Sequence, residues 1–157
     1  MPNVQCASSI KLRKRIANMT NMQDDQDFSE YILFDSVRKY DLEERLIDFS
    51  VIILDLVEKL PNTKGANHLG GQVVRSGTSP ALNYGEAQEA ESKKDFIHKM
   101  SICRKELRET KVALKILARK PYSEVKVEAG TALAECQELL SIFSKSINTA
   151  KSNLKED

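Results

Sequence analysis

Residues 75–87 read RSGTSPALNYGEA, a concentration of hydroxyls, glycines, an amide and a carboxylate with three possible uses: a phosphate cradle, a nucleophilic site or a helix built for close packing. A phosphate loop of the GxxxxGK(S/T) type follows a buried strand and needs a lysine, because its amides must converge on phosphate at a helix N-terminus. Neither the lysine nor the strand is present. A serine nucleophile needs a histidine and an acid converging on it, and the chain has only His68 and His98, which disfavours a triad.

Metal chemistry is equally poorly supplied. A bundle-core site of the ferritin type requires two Glu-x-x-His pairs plus further inward carboxylates, and Asp95-x-x-His98 is one imperfect half. The cysteines, Cys6, Cys103 and Cys136, are odd in number and form no CxxC, which argues against a disulfide framework and a zinc site and for a reducing compartment. We expect no catalytic residues, no metal and no cofactor. A cytoplasmic protein is the expectation, since no run approaches the roughly 18 apolar residues of a membrane span and no apolar segment follows the basic run Lys11 to Arg15.

The third use, close helix packing, agrees with the surrounding pattern. At 157 residues, with 6% aromatics and no Trp, the composition suits one helical domain. Asp41 and Glu44 resemble a capping box, and Leu42, Leu46, Phe49, Ile53, Leu56 and Leu60 alternate spacings of four and three up to Pro61, predicting a first helix over 42–60. Ser92 caps a third over 93–119 with Phe96, Met100, Cys103, Leu107, Thr110, Leu114 and Leu117 on its seam. After Pro121, with Ser123 as cap, Ala129, Leu133, Cys136, Leu140, Phe143, Ile147, Ala150 and Leu154 predict a fourth over 124–152. Cys103 and Cys136 read as buried, inert thiols.

The second helix lies between Thr63 and Glu91. Its larger anchors are Leu69, Val73 and Tyr84, and Gly70, Gly71, Ser76, Gly77, Ala81, Gly85 and Ala87 are small. Pro80 removes one intrahelical hydrogen bond, which predicts a kink near Ser76 and Gly77 with nearby hydroxyls taking up freed carbonyls. Asn83 and Glu86, three apart, are placed to tie this helix to a neighbour. Short connections force consecutive helices antiparallel. The expected fold is all-α, an up-down-up-down antiparallel four-helix bundle over 41–154, preceded by a largely flexible extension over 1–40.

At these residues the sequence resembles a known family. YDLEERL, LPNTKG, RSGTSPALNYGEAQEAESKKDFIHKMSICRKELRET and the pattern of the fourth helix are similar to the four-helix bundle proteins named after the 23S rRNA intervening sequences that encode some members. The resemblance covers about residues 40 to 152, with Arg75, Ser76, Thr78, Ser79, Asn83, Tyr84, Glu86, Ala87, Ser92, Phe96 and Glu106 on the family's positions. Pro80 and TKVALKIL depart from it, where a β-branched residue and large aromatics would be expected. The resemblance implies a ring-like homo-oligomer, commonly a pentamer, and similarity to accessory proteins of diversity-generating retroelements, which act with a reverse transcriptase and nucleic acid. It implies no catalytic activity.

Function, on the residues alone, points to the third helix. Residues 92–120 hold ten Lys and Arg against three Asp and Glu in a chain whose formal charge is +1. Lys93, Arg104, Arg108, Lys111, Lys115 and Arg119 fall within roughly a quarter of the circumference, beside the seam. Such a stripe attracts RNA or DNA phosphate; the other reading is a solvated face, or one pairing with the acidic first helix of an adjacent subunit. Ile52, Leu54, Ile102, Val112 and Ile116 lie off the seams and read as a subunit interface. The leading expectation is a non-enzymatic, oligomeric scaffold contacting nucleic acid or a nucleic-acid enzyme; a protein-interaction adaptor without nucleic acid is the alternative.

Overall fold

The structure, a computed structural model, describes residues 41–120, 122 and 125–155. The extension expected over 1–40, and the expected roles of Pro121 and Ser123, lie outside the described residues. Four helices follow in order: α1 (Leu42–Glu58), α2 (Lys64–Gln88), α3 (Lys93–Arg119) and α4 (Lys126–Lys155). The fold is an all-α four-helix bundle.

Each of the first three starts is capped by a short polar side chain that satisfies amides left without intrahelical partners. Asp41 Oδ1 accepts from the Glu43 and Glu44 amides, Thr63 Oγ1 from Ala66 and Ser92 Oγ from Asp95. Acidic residues in the first turns of α1 and α3 add a favourable interaction with the helix dipole.

The contacts define the directions. Gly70 meets Val57 and Leu60 whereas Gly77 meets Ile53, so α2 descends as α1 ascends. Ser76 meets Thr110, Pro80 meets Cys103 and Glu86 meets Lys99, which reverses direction again between α2 and α3. Arg45 reaches Glu135 and Glu138 while Lys59 reaches Glu128, so α1 and α4 are also antiparallel. Neighbouring pairs are α1 with α2, α2 with α3, α3 with α4 and α4 with α1, leaving α1 and α3 on a diagonal.

Leu46, Phe49, Ile53 and Leu56 of α1, and Met100, Cys103, Leu107, Thr110, Leu114 and Leu117 of α3, are buried as their spacing predicts. The fourth helix differs by one position in two turns: Ala132 and Leu139 are fully buried, while Leu133 and Leu140 are only partly so. An apolar stripe wider than one row has room for both, and the side facing three other helices is the one that becomes dry.

In α2 the buried line is Ala66, Gly70, Val73, Ser76, Gly77, Pro80 and Ala87. Only two of its glycines matter sterically. A Cβ on Gly77 would sit 2.9 Å from both Cγ1 and Cγ2 of Ile53, and one on Gly70 would sit 3.1 Å from Val57 Cγ1; Gly71 and Gly85 face open space. Helix α2 continues through Pro80, which has no amide hydrogen to give the Ser76 carbonyl. The hydroxyls expected on the carbonyls freed by Pro80 bond elsewhere: Ser76 Oγ donates to the Gln72 carbonyl and Thr78 Oγ1 to that of Val74. The reason is reach, since a helical hydroxyl finds the carbonyl four residues behind it, and the carbonyl Pro80 fails to serve belongs to Ser76 itself.

Gly77→Val will overpack Ile53 and lower stability by about 1–3 kcal/mol. Gly71→Ala, in open space on the same helix, will raise it by about 0.5–1 kcal/mol. Urea unfolding midpoints of the two variants check both signs.

Candidate functional site

Two polar systems border the α3–α4 side of the bundle, one between α2 and α3 and one between α4 and α1. Towards α2, Thr110 and Ser76, both fully buried, share a hydrogen bond of 2.9 Å in which Thr110 Oγ1 donates to Ser76 Oγ. The Ser76 hydroxyl spends its own proton on the Gln72 carbonyl, and Thr110 Oγ1 also lies 2.9 Å from the Glu106 carbonyl, so the pair is satisfied within the two helices. Above it, Arg75 pairs with Glu109 and lies 3.7 Å from Glu106 Oε2, an oxygen that is buried without a hydrogen bond. About three turns of helix further on, Lys99 pairs with Glu86 at 2.5 Å, which raises the lysine pKa.

The other polar system joins α4 to α1. Arg45 forks onto Glu135 (2.6 Å) and Glu138 (2.5 Å), and these carboxylates, Glu135 first, raise its pKa. Lys59 holds Glu128 at 3.1 Å. Glu128, Glu135 and Glu138 are the acidic residues of α4, so all of them are drawn to the α1 flank.

Between these systems lies the α3–α4 side. Lys93, Arg108, Lys115 and Arg119 are exposed there, and Arg104 and Lys111 are half-buried. Lys111 is close enough to Cys136 of α4 to act on its thiol. Arg104, Arg108, Lys115 and Arg119 have no ion-pair partner among the described residues, because the carboxylates of α3 and α4 that could serve them are engaged on the far flanks. The adjoining flank of α4, at Gln137, Ser141, Ser144 and Asn148, is uncharged.

The motif residues divide by role. Ser76 fills the α2–α3 contact, Arg75 and Glu86 form ion pairs across it, and Thr78 bonds within α2. Asn83 was expected to reach a neighbour; instead its Nδ2 donates to the carbonyl and Oγ of Ser79, because a side-chain amide on a helix finds the preceding turn before it finds another helix. Tyr84 packs edge-on to Phe143 with ring centroids 6.1 Å apart, and burial, followed by Asp41 and Glu43, raises its pKa.

Among the residues expected at an interface, Leu54, Val112 and Ile116 are exposed, Ile102 is half-buried and Ile52 packs against the core. The structure adds Ile47 and Val51, which with Leu54 form an exposed row at i, i+4 and i+7 on α1. Their spacing is visible in the sequence, but only burial of the opposite face shows which of two apolar rows is left outside.

The 23S rRNA-intervening sequence protein family matches residues 38–145. The chain belongs to this family. A crystal structure of a protein of unknown function from the S23 ribosomal protein family of Bacteroides thetaiotaomicron is similar at 30% identity, with a TM-score of 0.62 over 68% of this chain and 98% of that one. No curated protein matches the chain. Neither similarity names an enzymatic activity. Among the described residues there is no cluster of three or more potential metal ligands, and no helix is long and apolar enough to cross a membrane.

Burial pushes the Cys103 and Cys136 thiols up to about 12. Thiolate, the reactive form, is therefore scarce at neutral pH. In a Cys6→Ser background, an aromatic disulfide reagent at pH 8 will leave the native protein unmodified and will release two equivalents once urea unfolds it. Because both folded-state values exceed the ordinary thiol value near 9, their contribution to stability is complete below that pH and is lost as pH rises towards 12.

Proposed function

We propose that this protein is a non-enzymatic, oligomeric helical scaffold that contacts nucleic acid through the basic side of α3. The observation that carries the reading is charge segregation: the acids of α4 and the mid-helix acids of α3 are held on outer flanks, while four cations on the α3–α4 side have no ion-pair partner among the described residues. An unpaired row of Arg and Lys on a rigid helix suits phosphates spaced along a backbone, and each phosphate neutralised releases counterions. Uncharged Ser, Asn and Gln on the adjoining flank of α4 supply hydrogen-bonding groups for sugar and phosphate without repelling them. The family's name ties it to 23S rRNA, which makes structured RNA the first probe.

The exposed apolar residues on α1 and α3 favour a second reading, an adaptor that binds another protein and no nucleic acid. A protein partner that co-purifies from the native host and survives nuclease treatment would support it.

Filter binding to a structured RNA at two salt concentrations tests the first reading. Binding will weaken as salt rises, and Arg104→Glu with Arg108→Glu and Lys111→Glu will abolish it while circular dichroism stays unchanged. Single neutralisations will each flatten the log–log salt slope by about 1. Binding that is absent, or indifferent to salt, would remove nucleic acid from the function.

A further inference from the structure

The α3–α4 side is divided along its length into charged and uncharged parts. Cys136 Sγ lies 3.2 Å from the Leu107 carbonyl, which sets these two residues at one level. Along the antiparallel pair, at about 1.5 Å per residue, Gln137 and Ser141 of α4 then fall beside the turn that holds Arg104, and Asn148 and Lys151 fall near Lys93. Ala150 and Asn153 line one cavity with Lys93 and Phe96, which agrees with that register. From Arg104 to Arg119 the side is cationic, with Arg108, Lys115 and Arg119 exposed and without ion-pair partners among the described residues. Gln137, Ser141, Ser144 and Asn148 follow as an uncharged patch, and beyond it stand Lys93 and Lys151. The two cationic parts, measured from Arg104 to Lys93, are about 16 Å apart along the helix. Among the described residues no aromatic ring stands in the patch: Phe49 and Phe143 are buried, Tyr84 packs on Phe143, and Phe96 and Tyr122 pack against the core.

We infer that this side takes the minor groove of an A-form RNA duplex, with the uncharged patch of α4 over the 2′-hydroxyls. The cations from Arg104 to Arg119 then lie on one phosphate backbone and across the narrow major groove behind it, and Lys93 and Lys151 meet the backbone on the other rim. The inference rests on the nucleic-acid reading above and names its substrate class. Width decides that class. Packed helices lie about 8–10 Å apart and each is about 10–12 Å across, so the face they share is about 20 Å broad. It cannot enter a B-form major groove of about 12 Å or a minor groove of about 6 Å. The A-form minor groove is wide and shallow, so a flat face lies on it and reaches the sugars. Hydroxyls and side-chain amides both donate and accept, as a 2′-hydroxyl does, whereas deoxyribose offers them no partner at that position. Single strands are held by bases stacked on aromatic side chains, which the patch lacks.

Filter binding of the full chain to three probes tests it. The probes are an RNA duplex of about 20 base pairs, longer than the roughly 16 that a module reading duplex shape spans, the DNA duplex of the same sequence, and an RNA strand without self-complementarity. The RNA duplex will bind about tenfold or more tightly than either of the others, the size expected of a few added hydrogen bonds. Gln137→Ala, Ser141→Ala and Asn148→Ala combined, all at exposed positions where alanine suits a helix, will bring the RNA duplex down to the level of the DNA duplex with circular dichroism unchanged. Lys151→Gln will flatten the log–log salt slope for the RNA duplex by about 1. Equal affinity for the three probes, a preference for the RNA duplex that survives the triple substitution, or a salt slope indifferent to Lys151→Gln overturns the inference and leaves nucleic-acid binding in place. Retention of none of the three removes both.

Discussion

The close approach of α2 to α1 is the constraint on which the bundle depends. Gly77 has no side chain where Ile53 Cγ1 and Cγ2 already occupy the space, and Gly70 does the same one level away against Val57 and Leu60. With α2 drawn in on one flank, its other flank meets α3 through Ser76 and Thr110, two hydroxyls that tolerate full burial because each finds a partner within the pair of helices. The small residues of the motif therefore act as spacing elements, and the hydroxyls among them seal the polar atoms that close spacing exposes to a dry interior.

Ion pairs contribute differently. Those between Arg75 and Glu109, Lys99 and Glu86, and Lys59 and Glu128 face solvent, and solvated pairs add little to stability. Their larger effect is on charge distribution. By holding the carboxylates of α4 against α1, and Glu106 and Glu109 against α2, they leave the intervening side of α3 with a positive potential despite a chain charge of only +1. The same packing that stabilises the core thus determines where an anion would be attracted.

Much of the fold was legible in the sequence. The alternating four-three spacing of large apolar residues is a direct consequence of helical geometry, so the seams of α1 and α3 could be named residue by residue, and Asp41 and Ser92 could be named as caps from their chemistry and position. In α4, however, Ala132 and Leu139 are buried in place of Leu133 and Leu140 as the driest positions, since a helix with apolar residues in adjacent rows does not itself say which row the neighbours cover. Asn83, expected to tie α2 to a neighbour, bonds the preceding turn of its own helix, which lies within reach of its amide whatever the neighbouring helices do.

By itself, the sequence determined the four helices of the described residues, their approximate ends, the core stripes of α1 and α3, and the surplus of cations on α3, because each follows from spacing of about 3.6 residues per turn and from residue type. Only the tertiary structure decided which two glycines bear a steric load, which carboxylates neutralise which cations, and that the outer row of α1 runs through Ile47, Val51 and Leu54 rather than Ile52. Those properties depend on distances between chain segments far apart in sequence, and such distances do not exist until the helices have packed.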